Sequence, residues 1–336
     1  MTRPLRALGL LFVVALIAGA LAAGWAWQRY EQTPLAAVAA PLQITIAKGA
    51  NARSVALELN RKGVDIPPWL VAWAARLRGD AGQIKSGVYQ FDTTITLHAL
   101  LDKLVRGEVM LKDVRFTEGW TFRQMRATLV QMPDLLHDTA EMTDTDILQK
   151  IGATEQNPEG LFFPSTYSFS PGTSDLEIYR QAYKQLKKAL DEAWAGRAAD
   201  LPYDTPYQAL VMASIVEKET GREADRDKVA AVFINRLRKG MMLQSDPTTI
   251  YGMGDKFDGN LRRRDLTTDS VYNTYTRTGL PPTPIALPGK ASIVAATQPA
   301  PIAALYFVAR GDGSSEFSND LAAHNRAVGR YQLGRQ

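Results

Sequence analysis

The chemistry in this chain gathers where an apolar helix runs into charge. Residues 209–221 read ALVMASIVEKETG, so Glu217-Lys218-Glu219 closes an unbroken apolar run. Asp204 or Thr205 can cap a helix here, and Pro206 suits its first turn, where a missing N–H costs nothing. Because the run is apolar nearly all round, such a helix must be buried, with Gly221 as its stop signal. Glu217 then falls on the face of Ala213 and Ser214, and two readings are open. It is one member of a solvated charged helix end, as most such clusters are. Or it is a carboxyl held against an apolar wall, where desolvation disfavours the charge and raises the pKa, as a general acid at neutral pH requires.

Other chemistries find little support. The chain has no cysteine, which excludes disulfides, thiolate nucleophiles and iron–sulfur clusters. His98, His137 and His324 are the only histidines and lack metal-ligand spacing. No nucleophile elbow, phosphate loop or dinucleotide fingerprint is present. No metal or cofactor is therefore expected. A net charge of +4 is too small to indicate nucleic acid, but it fits an anionic surface or polymer. The Arg262-Arg263-Arg264 run reads as a solvated loop or as a contact for an anionic substrate.

The elements that must position Glu217 begin with a different kind of segment. Residues 7–27 are a run of 21 without one charge, about 31 Å of helix against a hydrocarbon core of about 30 Å. Arg3 and Arg6 precede it, and Trp25, Trp27 and Tyr30 gather at its far end like an interfacial belt. A cleaved signal peptide is the competing reading, since Ala20-Leu21-Ala22 resembles a cleavage site, but signal cores are shorter. The expected layout is a cytoplasmic tail at 1–6, a single-pass anchor in the inner membrane at 7–27 and a linker at 28–41. Everything beyond would lie in the periplasm or outside the cell.

From residue 42 a strand, turn and helix pattern recurs. ITIAKGANARSVALEL at 44–59 aligns with VRFTEGWTFRQMRATL at 114–129, matching Gly49 to Gly119 and Leu59 to Leu129. Residues 87–91 read as a strand, and 96–106 as a helix with Leu97, Leu100, Leu101 and Leu104 on one stripe. Residues 131–158 are polar without periodicity, 176–195 form an amphipathic helix, and about 224–239 form another. Ser245-Asp246-Pro247 reads as a turn that no helix continues, and 273–293 as a long stiff loop with four prolines. The fold class is α+β: an anchor, a small α+β subdomain over 42–112 and a larger mixed domain over 113–336.

With these segments in hand, SIVEKETGREADRDKVAAVFINRLRKGMMLQSDPTTIYG resembles the core of the endolytic murein transglycosylase (YceG-like) family. NTYTRTGLPPTPIALPG, ALYFVARGDGSSEFS, LAAHN and EGLFFPSTYSF continue the resemblance over roughly residues 42–330. Ser165 stands where the family usually has aspartate and Ser315 where it often has histidine. The resemblance implies a lytic cut of peptidoglycan strands with Glu217 as the one acid and base, and Lys218 and Glu219 positioning the helix end. It implies glycan contacts at Gln244, Asp246, Asn273, Tyr275 and Asn325, and a LysM-like glycan-binding fold over 42–112. Peptidoglycan, the cytoplasmic membrane and peptidoglycan synthases such as penicillin-binding proteins are the implied partners, with no nucleic acid. Two alternatives are a non-catalytic peptidoglycan-binding scaffold and a muramidase-type hydrolase with Asp246 as second carboxylate. A protease would lack every nucleophile and metal signature.

Overall fold

The structure, a computed structural model, describes residues 3–35, 41–91 and 95–334. The side chains of residues 3–11 and 26 lie outside that description, as do residues 36–40. Residues 1–2 of the expected cytoplasmic tail, the side chains of Arg3 and Arg6, and part of the expected linker therefore fall outside the description. The chain divides into two compact units. One comprises Met1–Lys112 with Phe169–Pro171, the other Asp113–Ser168 with Gly172–Gln336.

In the first unit, α1 (Arg3–Gln32) is a helix of 30 residues, about 45 Å long at 1.5 Å per residue. Its Phe12–Gln32 stretch is long and apolar enough to cross a membrane, by length and composition. Strand β1 (Leu42–Ile46) alternates buried Leu42, Ile44 and Ile46 with exposed Gln43 and Thr45, the period-two pattern of a sheet with one covered face. Helix α2 (Ala52–Arg61) starts in a capping box between Asn51 and Ser54. Helix α3 (Pro68–Leu77), absent from the sequence reading, follows with proline in its first turn. Strand β2 (Gly87–Phe91) returns antiparallel to β1, with Leu42 opposite Phe91 and Ile46 opposite Gly87. Helix α4 (Leu97–Arg106) buries its expected leucine stripe and ends in left-handed Gly107, a position that suits a residue without Cβ. Ile44, Leu59, Tyr89, Phe91 and these leucines form the unit's own core.

The second unit opens with β3 (Lys112–Arg115), Gly119 and α5 (Phe122–Val130), the expected counterpart of β1, Gly49 and α2. Both glycines take positive φ, +80° at Gly49 and +77° at Gly119, and α5 also starts in a capping box, between Thr121 and Gln124. The recurrence is thus present in backbone form. After β4 (Leu135–Leu136) comes α6 (Asp144–Ile151), capped by Thr143. It lies inside the stretch that showed no periodicity, because only Ile147, Leu148 and Ile151 face inward. Strand β5 (Thr166–Phe169) pairs with β3, and β6 (Thr173–Ser174) pairs parallel to β4. Helix α7 (Asp175–Ala195) brings Tyr179 against Phe122 and Phe162, with ring centroids 5.9 and 5.5 Å away.

Helix α8 (Pro206–Glu219) then runs through the interior with every residue from Ala209 to Val216 buried. Helices α9 (Glu223–Arg238), α10 (Asp246–Met253), α11 (Arg263–Thr267) and α12 (Lys290–Thr297) follow, and α7, α9, α10 and α12 pack on α8. Antiparallel β7 (Tyr306–Ala309) and β8 (Ser315–Ser318) lead to α13 (Leu321–Tyr331).

Three expectations need correction here. Helix α8 stops because Thr220 turns to extended backbone, φ −145° and ψ 129°, and Gly221 is not a left-handed cap. Ser245-Asp246-Pro247 starts a helix: Pro247 occupies the first turn of α10, where no N–H is needed. The proline-rich loop gives way at Lys290 to α12, and that helix start proves central to the site.

Candidate active site

Glu217 is half-buried near the end of α8 and meets the N-terminus of α12. The amide of Gly289 donates to Glu217 Oε2 at 2.9 Å, and Ser292 Oγ donates to the same oxygen at 2.7 Å. Gly289 is the N-cap of α12 and has no side chain to cap with. The carboxyl of another helix thus accepts from the N-cap amide and from a first-turn hydroxyl, and sits at the positive end of a helix dipole. Both donors engage Oε2. Among the described residues no donor is found on Oε1.

The surroundings are tied together by backbone. Ser214 Oγ donates to Val211 O at 2.7 Å and accepts from Ile285 N at 3.0 Å, fixing the proline-rich loop to α8. Gly119 N donates to Leu287 O at 2.9 Å, and Leu287 N to Trp120 O at 2.7 Å. Lys218 Nζ donates to Gly119 O at 3.2 Å. A Cβ added at Gly119 would lie 3.9 Å from Glu217 Cγ, so this turn forms part of the wall beside the carboxyl.

That turn carries a second carboxyl. A Cβ on Gly289 would overlap the Glu118 carboxyl group, so Glu118 reaches the same helix start that holds Glu217. Burial raises the Glu118 pKa, the charge of Glu217 raises it further, and Arg226 pulls it back. Glu118 was missed in sequence, where TEGW stood out only as part of the recurring pattern. Ser292 and Gly289 were missed too, since GKASI reads as the end of a loop.

Glu219, two residues beyond Glu217, points elsewhere, as about 200° of helix rotation requires. Ser245 Oγ donates to its Oε1. Burial lifts Glu219 to about 7; Asp246 adds to the rise, while Ser245 and Arg236 oppose it. Around it stand three of the proposed contacts. Tyr275 OH donates to Asp246 Oδ1 at 2.6 Å. Gln244 holds φ +53°, the one positive value outside glycine among the described residues, and Arg236 donates to its Oε1 at 3.3 Å. Such backbone strain persists where surroundings over-determine it, often at functional sites.

The other two residues lie differently. Asn273 is 1% exposed; its Nδ2 donates to Asp265, Leu266 and Thr268 carbonyls, and its Oδ1 accepts from Thr249 and Tyr275. Its amide is committed to holding the loop. Asn325 is exposed on α13, which packs on β7 and β8. The arginine run is surface: Arg262 pairs with Asp258 and Arg264 with Asp265.

EGLFFPSTYSF contributes a buried carboxyl of its own. Glu159 accepts from Phe122 N at 2.9 Å and Tyr251 OH at 3.1 Å, and burial raises it to about 7 against those donors. It borders a cleft of about 700 Å³ lined also by Arg123, Gln124, Asn157, Tyr251 and Tyr272. No three His, Asp or Glu among the described residues gather as metal ligands.

A carboxyl clamped at a helix start through one oxygen is a group that can give and take a proton, here on a mixed helix-and-sheet fold. The model of the YceG-like family matches residues 44–330, and this chain belongs to that family. An endolytic murein transglycosylase of Bacillus subtilis is 32% identical over 308 residues, 86% of this chain and 84% of that protein. Another, from Streptococcus pneumoniae strain D39, is 27% identical over 320 residues, and this chain spans 57% of its length. A crystal structure of a YceG-like protein from Listeria monocytogenes superposes with a TM-score of 0.55 at 26% identity. That match covers 85% of this chain and 98% of the other.

Proposed function

We propose that this chain is an endolytic lytic transglycosylase of peptidoglycan in which Glu217 serves as both acid and base. Its family and its endolytic murein transglycosylase relatives support the reaction class. The observation that carries the residue assignment is the Glu217 carboxyl, anchored through Oε2 by Gly289 and Ser292. Protonated, it gives its proton to the oxygen linking N-acetylmuramic acid to N-acetylglucosamine, and the C1–O4 bond breaks. Ionised, it takes the proton of the muramoyl 6-hydroxyl as that oxygen bonds to C1. The proton lost by O6 replaces the one given to O4, no water is consumed, and a 1,6-anhydro end results. A second carboxylate to activate water is not required.

Gln244, Asp246 and Tyr275 are proposed glycan contacts, with Asn273 supporting them from behind and Asn325 a further contact. Residues 42–112 are proposed to be a LysM-like glycan-binding module. The order β1, α2, α3, β2 around a separate core supports that reading. Helix α1 is proposed to anchor the protein in the cytoplasmic membrane, N-terminus inside, which would bring it near peptidoglycan synthases.

Mass spectrometry of sacculi digested by the purified protein tests the reaction. Strands ending in 1,6-anhydro-N-acetylmuramic acid are expected. Reducing ends would contradict the lytic step and make this a hydrolase. Glu118, beside Glu217, would then be the better second carboxyl, since Asp246 is engaged by Tyr275 in the Glu219 cluster.

A further inference from the structure

Helix α3 turns Leu70, Val71, Ala74 and Ala75 into the core of its unit. Its outer face carries Trp69, Trp73 and Leu77, four residues apart on one stripe and 66, 51 and 58% exposed. Arg76 is exposed on the same helix. Single exposed apolar residues need no explanation, but a stripe of two tryptophans and a leucine marks a contact surface.

What lies beside the stripe identifies its occupant. Trp27, near the end of the apolar run of α1, packs edge-on against Trp73, with ring centroids 5.4 Å apart and planes at 88°. The exit of α1 is fixed to the same unit at further points. Glu31 reaches Arg78 at 3.6 Å and His98 at 3.4 Å, and Leu35 N donates to Ile95 O at 2.8 Å. If α1 crosses the membrane, Trp27 stands at the level where the hydrocarbon ends, and Trp73 touches it there. Tryptophan favours that depth because its ring has an apolar body and a polar N–H. An outward helix face with two tryptophans and a leucine, and arginine beside them, is suited to lie in that plane.

We propose that Trp69, Trp73 and Leu77 of α3 embed in the outer surface of the bilayer, so that this unit rests on lipid beside its own anchor. The proposal rests on the reading of α1 as membrane-spanning. Its consequence is that the proposed glycan-binding module is held in a fixed attitude to the membrane instead of swinging on a free linker.

The absence of cysteine makes the test direct. Full-length Trp69→Cys and Leu77→Cys, each carrying an environment-sensitive fluorophore, are placed in phosphatidylglycerol–phosphatidylethanolamine vesicles with quencher-bearing lipids. Leu16→Cys on α1 reports the anchor. Both α3 labels should lose most of their emission to lipids quenching near the headgroups and little to lipids quenching at the bilayer centre, which should instead silence the Leu16 label. A quenched Leu16 label with unquenched α3 labels overturns the proposal and leaves the anchor intact. So do α3 labels that are shielded from water yet untouched by any quencher lipid, because another protein or a second copy then covers the face. An unquenched Leu16 label removes the anchor and the proposal with it. Leu77→Cys keeps both tryptophans, so a folding fault in Trp69→Cys would not decide the matter.

Discussion

At Glu217, three neighbours surround a carboxyl that sequence showed as one residue. Ser292 and Gly289 hold one oxygen, and Glu118 places a like charge nearby, its own pKa raised by burial and by that proximity. Like charges disfavour each other's ionisation, and in this pair the raised carboxyl is Glu118. Glu118→Gln removes that titrating group. Whatever part of the alkaline limb the raised Glu118 carboxyl contributes should then move, with the folded state retained. The profile of kcat/KM against pH for the variant checks this. An unmoved alkaline limb with lowered turnover would make Glu118 a glycan contact and nothing more.

The elements deliver these groups through a loop rigid enough to be tested by single atoms. Gly160 holds φ +76°, and a Cβ there would run into the ring of Pro284, in the loop leading to Gly289. Gly160→Ala combines left-handed strain, worth on the order of 1–3 kcal/mol, with a clash against a ring that cannot turn aside. The variant should melt lower and lose activity together; an unchanged melting temperature would show that the loop yields. Which elements were legible follows from how they bury themselves. The stripe of Leu97, Leu100, Leu101 and Leu104 reads directly as α4, and the all-apolar 209–216 as a buried helix. Helix α3 did not, because Trp69, Trp73 and Leu77 face outward and blur the period, while Pro67-Pro68 reads as a breaker. Helix α10 was hidden because proline marks both a turn and a first helical turn. Nothing local joins Glu118 to Gly289 or Glu217 to Ser292. Those contacts exist only once the β3–α5 turn, α8 and the start of α12 are folded together.

For the whole molecule, two buried carboxyls make stability depend on pH. Glu159 and Glu219 are both raised to about 7, chiefly by burial, from an ordinary 4.5. Between those values the folded chain keeps protons that the unfolded chain releases. Their stabilising effect is therefore complete below about pH 4.5 and is lost as pH rises through about 7. Glu219→Gln removes one contribution, so the difference in stability between pH 5 and pH 8 should shrink by on the order of 1–3 kcal/mol. Thermal melts of both proteins across that range check it, and an unaltered pH dependence would mean that Glu219 ionises in the fold at little cost. The same variant is the matched control for the claim on which the function rests. Glu217→Gln keeps the size of the side chain but can neither give nor take the proton, and such groups are worth about 10²–10⁴-fold in rate. The decisive measurement is the release of anhydro-muropeptides from sacculi by Glu217→Gln and Glu219→Gln, each shown to be folded. Loss at or beyond the top of that range for Glu217→Gln, with substantial release by Glu219→Gln, is the predicted result. Near-normal release by Glu217→Gln would contradict the single-glutamate mechanism, and loss confined to Glu219→Gln would place the catalytic carboxyl two residues further along α8.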